Sequence, residues 1–189
     1  MQSNIDALQK VIPKDIPYFN IETKLGATWI PTKDYADFVA HMLNTESSSD
    51  IKIEFKSGRW YVNLKSHLLN RTEARSNYGT QDVKFNRLVQ AALSNQIITI
   101  KRKDPEGGTY VDMTATQEIA EKINKIKADF AAWVWGDPER KLRLEQEYNE
   151  TMNAWATPQY DGSFMAMEGM ALELGNSPFN LRQHQQNAI

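Results

Sequence analysis

The sequence predicts an α+β fold: a mostly antiparallel sheet with helices packed on one face, followed by a long helical hairpin and an irregular tail. Three observations lead there. Tyr35, Phe38, Val39, Met42 and Leu43 recur at helical spacing. Ile51-Lys52-Ile53-Glu54-Phe55 alternates with period two, and Arg59–Leu64 follows directly after Ser57-Gly58, which is a hairpin pattern. Beyond residue 113, two helical stripes succeed one another across a single glycine, Gly136. Strands that arrive in hairpins between helices favour antiparallel pairing.

The elements follow in chain order. Residues 1–20, with Pro13 and Pro17, read as a short helix and an extended lead-in. Residues 21–30 read as a strand broken at Gly26. Pro31-Thr32 opens the first amphipathic helix, and the polar run 45–50 is a loop. After the 51–64 hairpin, residues 66–80 form a polar, basic stretch. A second amphipathic helix over 81–94 carries Phe85, Leu88, Val89, Ala92 and Leu93 on one face. Residues 97–101 and 109–113 make a second hairpin around Asp104-Pro105-Glu106-Gly107-Gly108. Thr114-Ala115-Thr116-Gln117 has the spacing of a capping box and starts a long helix striped by Ile119, Ile123, Ile126, Phe130 and Trp133. Asp137-Pro138 restarts a helix, with Asp as N-cap and Pro at the first helical position, running to about Trp155. The expected organisation is an α+β domain over 1–113, a helical hairpin over 114–156 and an irregular tail over 157–189.

The 189 residues suit one domain, or one domain with a helical appendage. The chain has no cysteine, which removes disulfides, thiol nucleophiles and thiolate metal sites. No apolar run is long enough to span a bilayer, and the N-terminus lacks the pattern of a signal peptide. The expected location is cytoplasmic. Charge is unevenly spread. From Lys56 to Lys103 there are ten Lys/Arg against Glu73 and Asp82, a net of +8, so the rest of a chain of net charge -2 carries -10. Such asymmetry is the footprint of a polyanion partner or, equally, of a solvated face. The candidate phosphate contacts are Lys65, Arg71, Arg75, Lys84, Arg87, Lys101, Arg102 and Lys103, with Tyr78 and Trp60 interleaving aromatic surface.

Catalytic and metal motifs are weak. There is no GxxxxGK[ST] loop, and His41, His67 and His184 have no metal-ligand spacing. Asn176-Ser177-Pro178-Phe179 is a poor match to the Asn-Pro-Pro-aromatic motif of amino-group DNA methyltransferases, with Ser177 in place of the first proline. No catalytic residue, metal or cofactor is therefore assigned within this chain.

Several stretches together resemble one family. They are Pro13-Lys14-Asp15-Ile16-Pro17, Leu25-Gly26-Ala27-Thr28-Trp29-Ile30-Pro31, Asn77-Tyr78-Gly79-Thr80, Trp133-Val134-Trp135-Gly136-Asp137-Pro138-Glu139-Arg140, Tyr160-Asp161-Gly162-Ser163 and residues 181–189. Their order resembles the region ahead of the motor in large phage and mobile-element adenine-specific DNA methyltransferase–helicase fusions, which are related to antirestriction proteins. The resemblance implies an accessory domain, DNA-binding and helicase-associated, between methyltransferase and helicase modules. ATP and S-adenosylmethionine would then belong to those neighbours. Leu181-Arg182-Gln183-His184-Gln185 is similar to the adenine-recognition motif of superfamily-two helicases. That would give nucleotide contact to Gln185, with Arg182 nearby, should a motor follow; Gln183 departs from the family's proline. Three readings stay open: a DNA-contacting module, a protein-docking module in the same or an antirestriction complex, and an enzyme resting on the Asn176–Phe179 match alone.

Overall fold

The computed structural model describes residues 13–46, 48–154, 173–174 and 177–178. The fold is α+β. After a 3-10 turn at Tyr18–Asn20 come helix α1 (Thr32–Met42), strands β1 (Ile51–Lys56) and β2 (Arg59–Leu64), and the one-turn helix α2 (Ser66–Leu69). A π-helical turn at Glu73–Asn77 precedes α3 (Phe85–Leu93), β3 (Lys101–Lys103) and β4 (Thr109–Val111). Helices α4 (Met113–Val134) and α5 (Pro138–Thr151) follow. Residues 14–154 form one compact unit. In the second unit, the short strands β5 (Glu173–Leu174) and β6 (Ser177–Pro178) pair antiparallel.

The 51–64 hairpin appears where period-two alternation and its turn residues place it, whereas the second is shifted: β3 covers Lys101–Lys103 and not 97–101, and β4 covers Thr109–Val111. Lys56 pairs with Arg59, leaving Ser57 and Gly58 as a two-residue turn, both with positive φ. That conformation matches the twist of the flanking strands. The strands do not merge into one sheet, because each ladder among the described residues is two-stranded. They also differ in burial. Ile51, Ile53, Trp60 and Val62 of β1–β2 enter the core, whereas all six ladder residues of β3–β4 are exposed.

Residues 21–30 form no strand. Tyr35, 1% exposed on α1, donates its hydroxyl to the Ala27 carbonyl (2.8 Å) and accepts from the Gly26 amide (3.2 Å). This clamp folds the segment into a turn at Gly26, whose φ of +94° suits glycine. A Cβ there would lie 1.9 Å from the Leu93 carbonyl oxygen, so the backbone packs too closely for any side chain.

Helix ends follow local chemistry. Asn44 and Asn95 adopt left-handed conformations just beyond α1 and α3, where asparagine closes helices well. The N-cap of α4 is Asp112, which accepts from the Ala115 amide (3.0 Å), so the capping box at Thr114 does not start the helix. Thr116 instead accepts at its hydroxyl from the Ile100 amide (3.1 Å). Asp137 caps α5 and Pro138 opens it, as expected. The turn between them is locked by Arg140, which donates to the carbonyls of Val134 (2.9 Å) and Trp133 (2.6 Å) and lies 3.5 Å over the Trp133 ring. Helix α5 ends at Thr151, short of Trp155. The Met152 and Asn153 amides both return to the Tyr148 carbonyl, while Asn149 and Asn153 bind the backbone of Ile16 and Lys14.

The core collects Phe38 and Val39 from α1, Leu88 and Val89 from α3, Ile119, Ile126 and Phe130 from α4, and Leu144 from α5. Asp34, 2% exposed, is paired with Arg143 of α5 through both carboxylate oxygens. The 157–189 tail, apart from β5 and β6, lies outside the described residues, as do residues 1–12 of the short helix and lead-in expected over 1–20, Arg182 and Gln185.

Candidate functional site

The basic stretch between β2 and α3 is built as a folded shelf on α4. Leu68 and Ala74 bury their side chains beneath it. The Tyr78 amide closes the π-helical turn on the Glu73 carbonyl (3.1 Å). Lys122 donates to the carbonyls of Ser76 (3.2 Å) and Asn77 (3.0 Å), putting a cation at the negative end of that turn. The Tyr78 hydroxyl donates to Asp129 Oδ2 (2.8 Å), and Lys125 reaches the same oxygen (2.9 Å) while lying 4.2 Å over the Tyr78 ring. Burial first, then the Asp129 bond, pushes the Tyr78 phenol above its ordinary range. A Cβ at Gly79 would come within 2.4 Å of the Ala74 carbonyl oxygen, so only glycine fits the fold-back. Thr80 and Val83 then close a small loop through two hydrogen bonds (3.0 and 3.1 Å) that leads into α3.

This shelf encloses a cleft of about 710 Å³. Arg75 and Lys84 line it from two different elements, beside neutral polar groups such as Ser66, Thr72 and Thr80. No carboxylate lines it. Its floor includes Phe85, which is 1% exposed and offers no ring face for stacking. Lys84 is the N-cap of α3 and makes no side-chain cap bond. The first turn of α3 carries no acid, and Arg87 lies on it.

The eight cations proposed from sequence divide into two groups. Lys65 is 2.6 Å from Asp50, Arg71 donates to the Asn44 carbonyl (3.0 Å) and lies 3.8 Å from Glu73, and Arg102 bridges Asp112 (2.8 Å) and Asp82 (2.9 Å). Their charge is engaged within the chain. The Asp112 and Asp82 bonds hold the Arg102 guanidinium above its ordinary range. Arg75, Lys84, Arg87, Lys101 and Lys103 have no ion-pair partner among the described residues. Arg102 ties β3 to Asp82, two residues before Lys84, so the β3–β4 ribbon is anchored beside the cleft loop.

Neither proposed aromatic is a free stacking surface. Trp60 is 4% exposed and packs edge-on to Tyr35 (5.2 Å), because its strand position faces the core. Tyr78 is held by Asp129 and Lys125 as described. Trp133 packs on Phe38 and Phe130 in the core. Among the described residues, no three His, Asp or Glu side chains gather to hold a metal ion. His67 sits 3.4 Å from Asp50, and His41 borders a separate shallow groove with Tyr78 and Trp133. No helix among the described residues is long and apolar enough to cross a membrane. Asn176, Phe179, Arg182 and Gln185 lie outside the described residues.

A family model described as "Domain of unknown function (DUF8437)" matches residues 24–154. No curated protein and no solved structure matches the chain.

Proposed function

The chain belongs to the DUF8437 family, and we propose that it is a non-catalytic, nucleic-acid-contacting accessory domain acting in the cytoplasm. One observation carries this reading. Within a basic segment, five cations (Arg75, Lys84, Arg87, Lys101 and Lys103) have no ion-pair partner among the described residues, while their neighbours Lys65, Arg71 and Arg102 do. Unpaired cations supported by a rigid shelf suit a phosphate backbone, and the buried aromatics argue against base readout. Binding would be sequence-tolerant and electrostatic. The partner is DNA, handled beside methyltransferase and helicase modules that would carry S-adenosylmethionine and ATP. Arg182 and Gln185 would contact nucleotide only if a motor followed.

The test is gel retardation of the full chain with single- and double-stranded DNAs of unrelated sequence. Retardation of all of them at low salt supports the reading; retardation of none, or of one sequence only, sinks it.

A second reading, protein docking, is favoured by exposed apolar residues around the ribbon. Tyr110 is 52%, Val111 40%, Met113 73% and Ile97 88% exposed. Stable co-purification with a partner through the ribbon, without DNA retardation, would select it.

A further inference from the structure

We infer that the cleft between α2, the π-helical turn and the start of α3 is a seat for one phosphate ester, gripped by Arg75 and Lys84. The inference rests on the DNA reading and deepens it, from a charged surface to a single built site.

Arg75 and Lys84 come from different elements and both line one cavity, without a carboxylate in its wall. Neither has an ion-pair partner among the described residues. Two cations on the wall of one cavity with no counter-charge in its lining favour an anion within it. The remaining polar lining is hydroxyl and amide, which donates to phosphate oxygens without competing for the cations. The shelf that presents Arg75 is fixed by Lys122 and by the close approach of Gly79 to Ala74. The start of α3 adds to this seat. Arg87 and Leu88 amides bond the Lys84 carbonyl (3.0 and 3.2 Å), while the Phe85 and Asn86 amides find no acceptor among the described residues. Lys84 stands where a helix ordinarily carries a side-chain acceptor, so the usual local acceptor is missing.

The size of the cleft fixes the kind of ligand. About 710 Å³ exceeds one phosphate and admits a sugar–phosphate unit. With Phe85 buried and no other ring in the wall, the base is left outside. The seat therefore takes a nucleotide phosphate without regard to base. The source is either a strand or a free phosphate ester, and the two are separable.

The experiment uses the full chain, with inorganic phosphate and a fluorescent oligonucleotide as probes. Amide NMR shifts at Phe85 and Asn86 report the seat, and anisotropy reports strand binding. The variants are Arg75→Gln/Lys84→Gln and, as a control outside the cleft, Lys101→Gln/Lys103→Gln; all four side chains are on exposed residues, and far-UV spectra verify folding. Expected are shifts at both amides with either probe. The cleft variant should lose them and weaken oligonucleotide binding about tenfold or more, with a salt slope shallower by about one, the share of a single phosphate. Shifts with phosphate but no oligonucleotide binding would keep the seat, assign it to a free ester and remove the DNA reading. Oligonucleotide binding and phosphate-induced amide shifts both unchanged in the cleft variant would overturn the seat while leaving the DNA reading intact. No shift at either amide with either probe would also overturn the seat.

Discussion

Replacing Tyr35 with phenylalanine removes one oxygen from the centre of the fold. The ring would stay packed against Trp60 (5.2 Å) and Phe130 (5.6 Å), so no cavity opens. What is lost is the clamp: the Gly26 amide and the Ala27 carbonyl each lose their partner. An orphaned buried polar group costs about 1–3 kcal/mol. Gly26 and Ala27 are half-buried, so water compensates part of this, and the two together should cost about 2–3 kcal/mol. For a chain of this size that lowers Tm by roughly 4–12 °C. Burial pushes the Tyr35 phenol above its ordinary range, so the donor persists at any working pH. Urea unfolding followed by tryptophan fluorescence gives the free energy and, through the slope, shows whether the unfolded state changed. Gly26→Ala should cost more, since it adds left-handed strain to a contact of 1.9 Å with Leu93. Because the clamp needs the turn, the double variant should be less destabilised than the sum. A loss below about 0.5 kcal/mol for Tyr35→Phe, or strict additivity, would refute the clamp.

Three further outcomes follow from named contacts. Arg140→Ala should destabilise by about 2 kcal/mol, measured by urea unfolding, because two carbonyls at the end of α4 lose a donor and Trp133 loses its cation. Arg140→Lys should rescue little, since an ammonium cannot span both carbonyls and the ring. For the Asp34–Arg143 pair, Arg143→Met should cost about 3 kcal/mol and Asp34→Asn clearly less, because only the aspartate is buried and stranded when its partner goes; equal losses in thermal melts would contradict this. Asp112 is held below the ordinary carboxylate range by the Ala115 amide and then by Arg102. Its contribution is complete above the unfolded value and is lost as pH falls through the lower folded one. Melting temperature against pH should therefore be flatter in that acid window for Asp112→Asn, which keeps a cap but not the charge.

Much of the fold is legible in local pattern. Both hairpins and helices α1, α3, α4 and α5 follow from period and from cap chemistry at Asp137-Pro138. Failures came where a distant group decides. Residues 21–30 look strand-like, but the Tyr35 hydroxyl and the Leu93 backbone bend them. The Thr114 capping box is displaced because Asp112, two residues earlier, already accepts from Ala115. Several of the stretches singled out in the sequence have structural tasks: Asn149 holds Ile16, Tyr35 holds Gly26, Lys122 holds Asn77 and Arg140 holds the α4–α5 turn.

The site was partly legible. The basic count included Arg75 and Lys84, which line the cleft, but could not show that Lys65, Arg71 and Arg102 meet acids. The Asp50–Lys65 contact was within reach, since the register Ile51↔Leu64 puts those residues beside each other at the hairpin base. The link from Arg102 to Asp82 crosses from a strand to a loop, and only tertiary packing reveals it. The start of α3 did leave a trace in sequence: a lysine immediately before the first apolar residue of the helix, where a capping side chain is expected.

DNA binding of the proposed kind requires that the cations without an ion-pair partner among the described residues touch phosphate. The direct measurement is anisotropy of labelled DNA across a salt series, comparing the natural chain with Lys84→Glu/Arg87→Glu. The expected result is a log affinity that falls with log salt at about 0.9 per phosphate contacted, and weaker, shallower binding in the variant. Salt-insensitive binding, or a charge-reversed variant that binds as well as the natural chain, would contradict it.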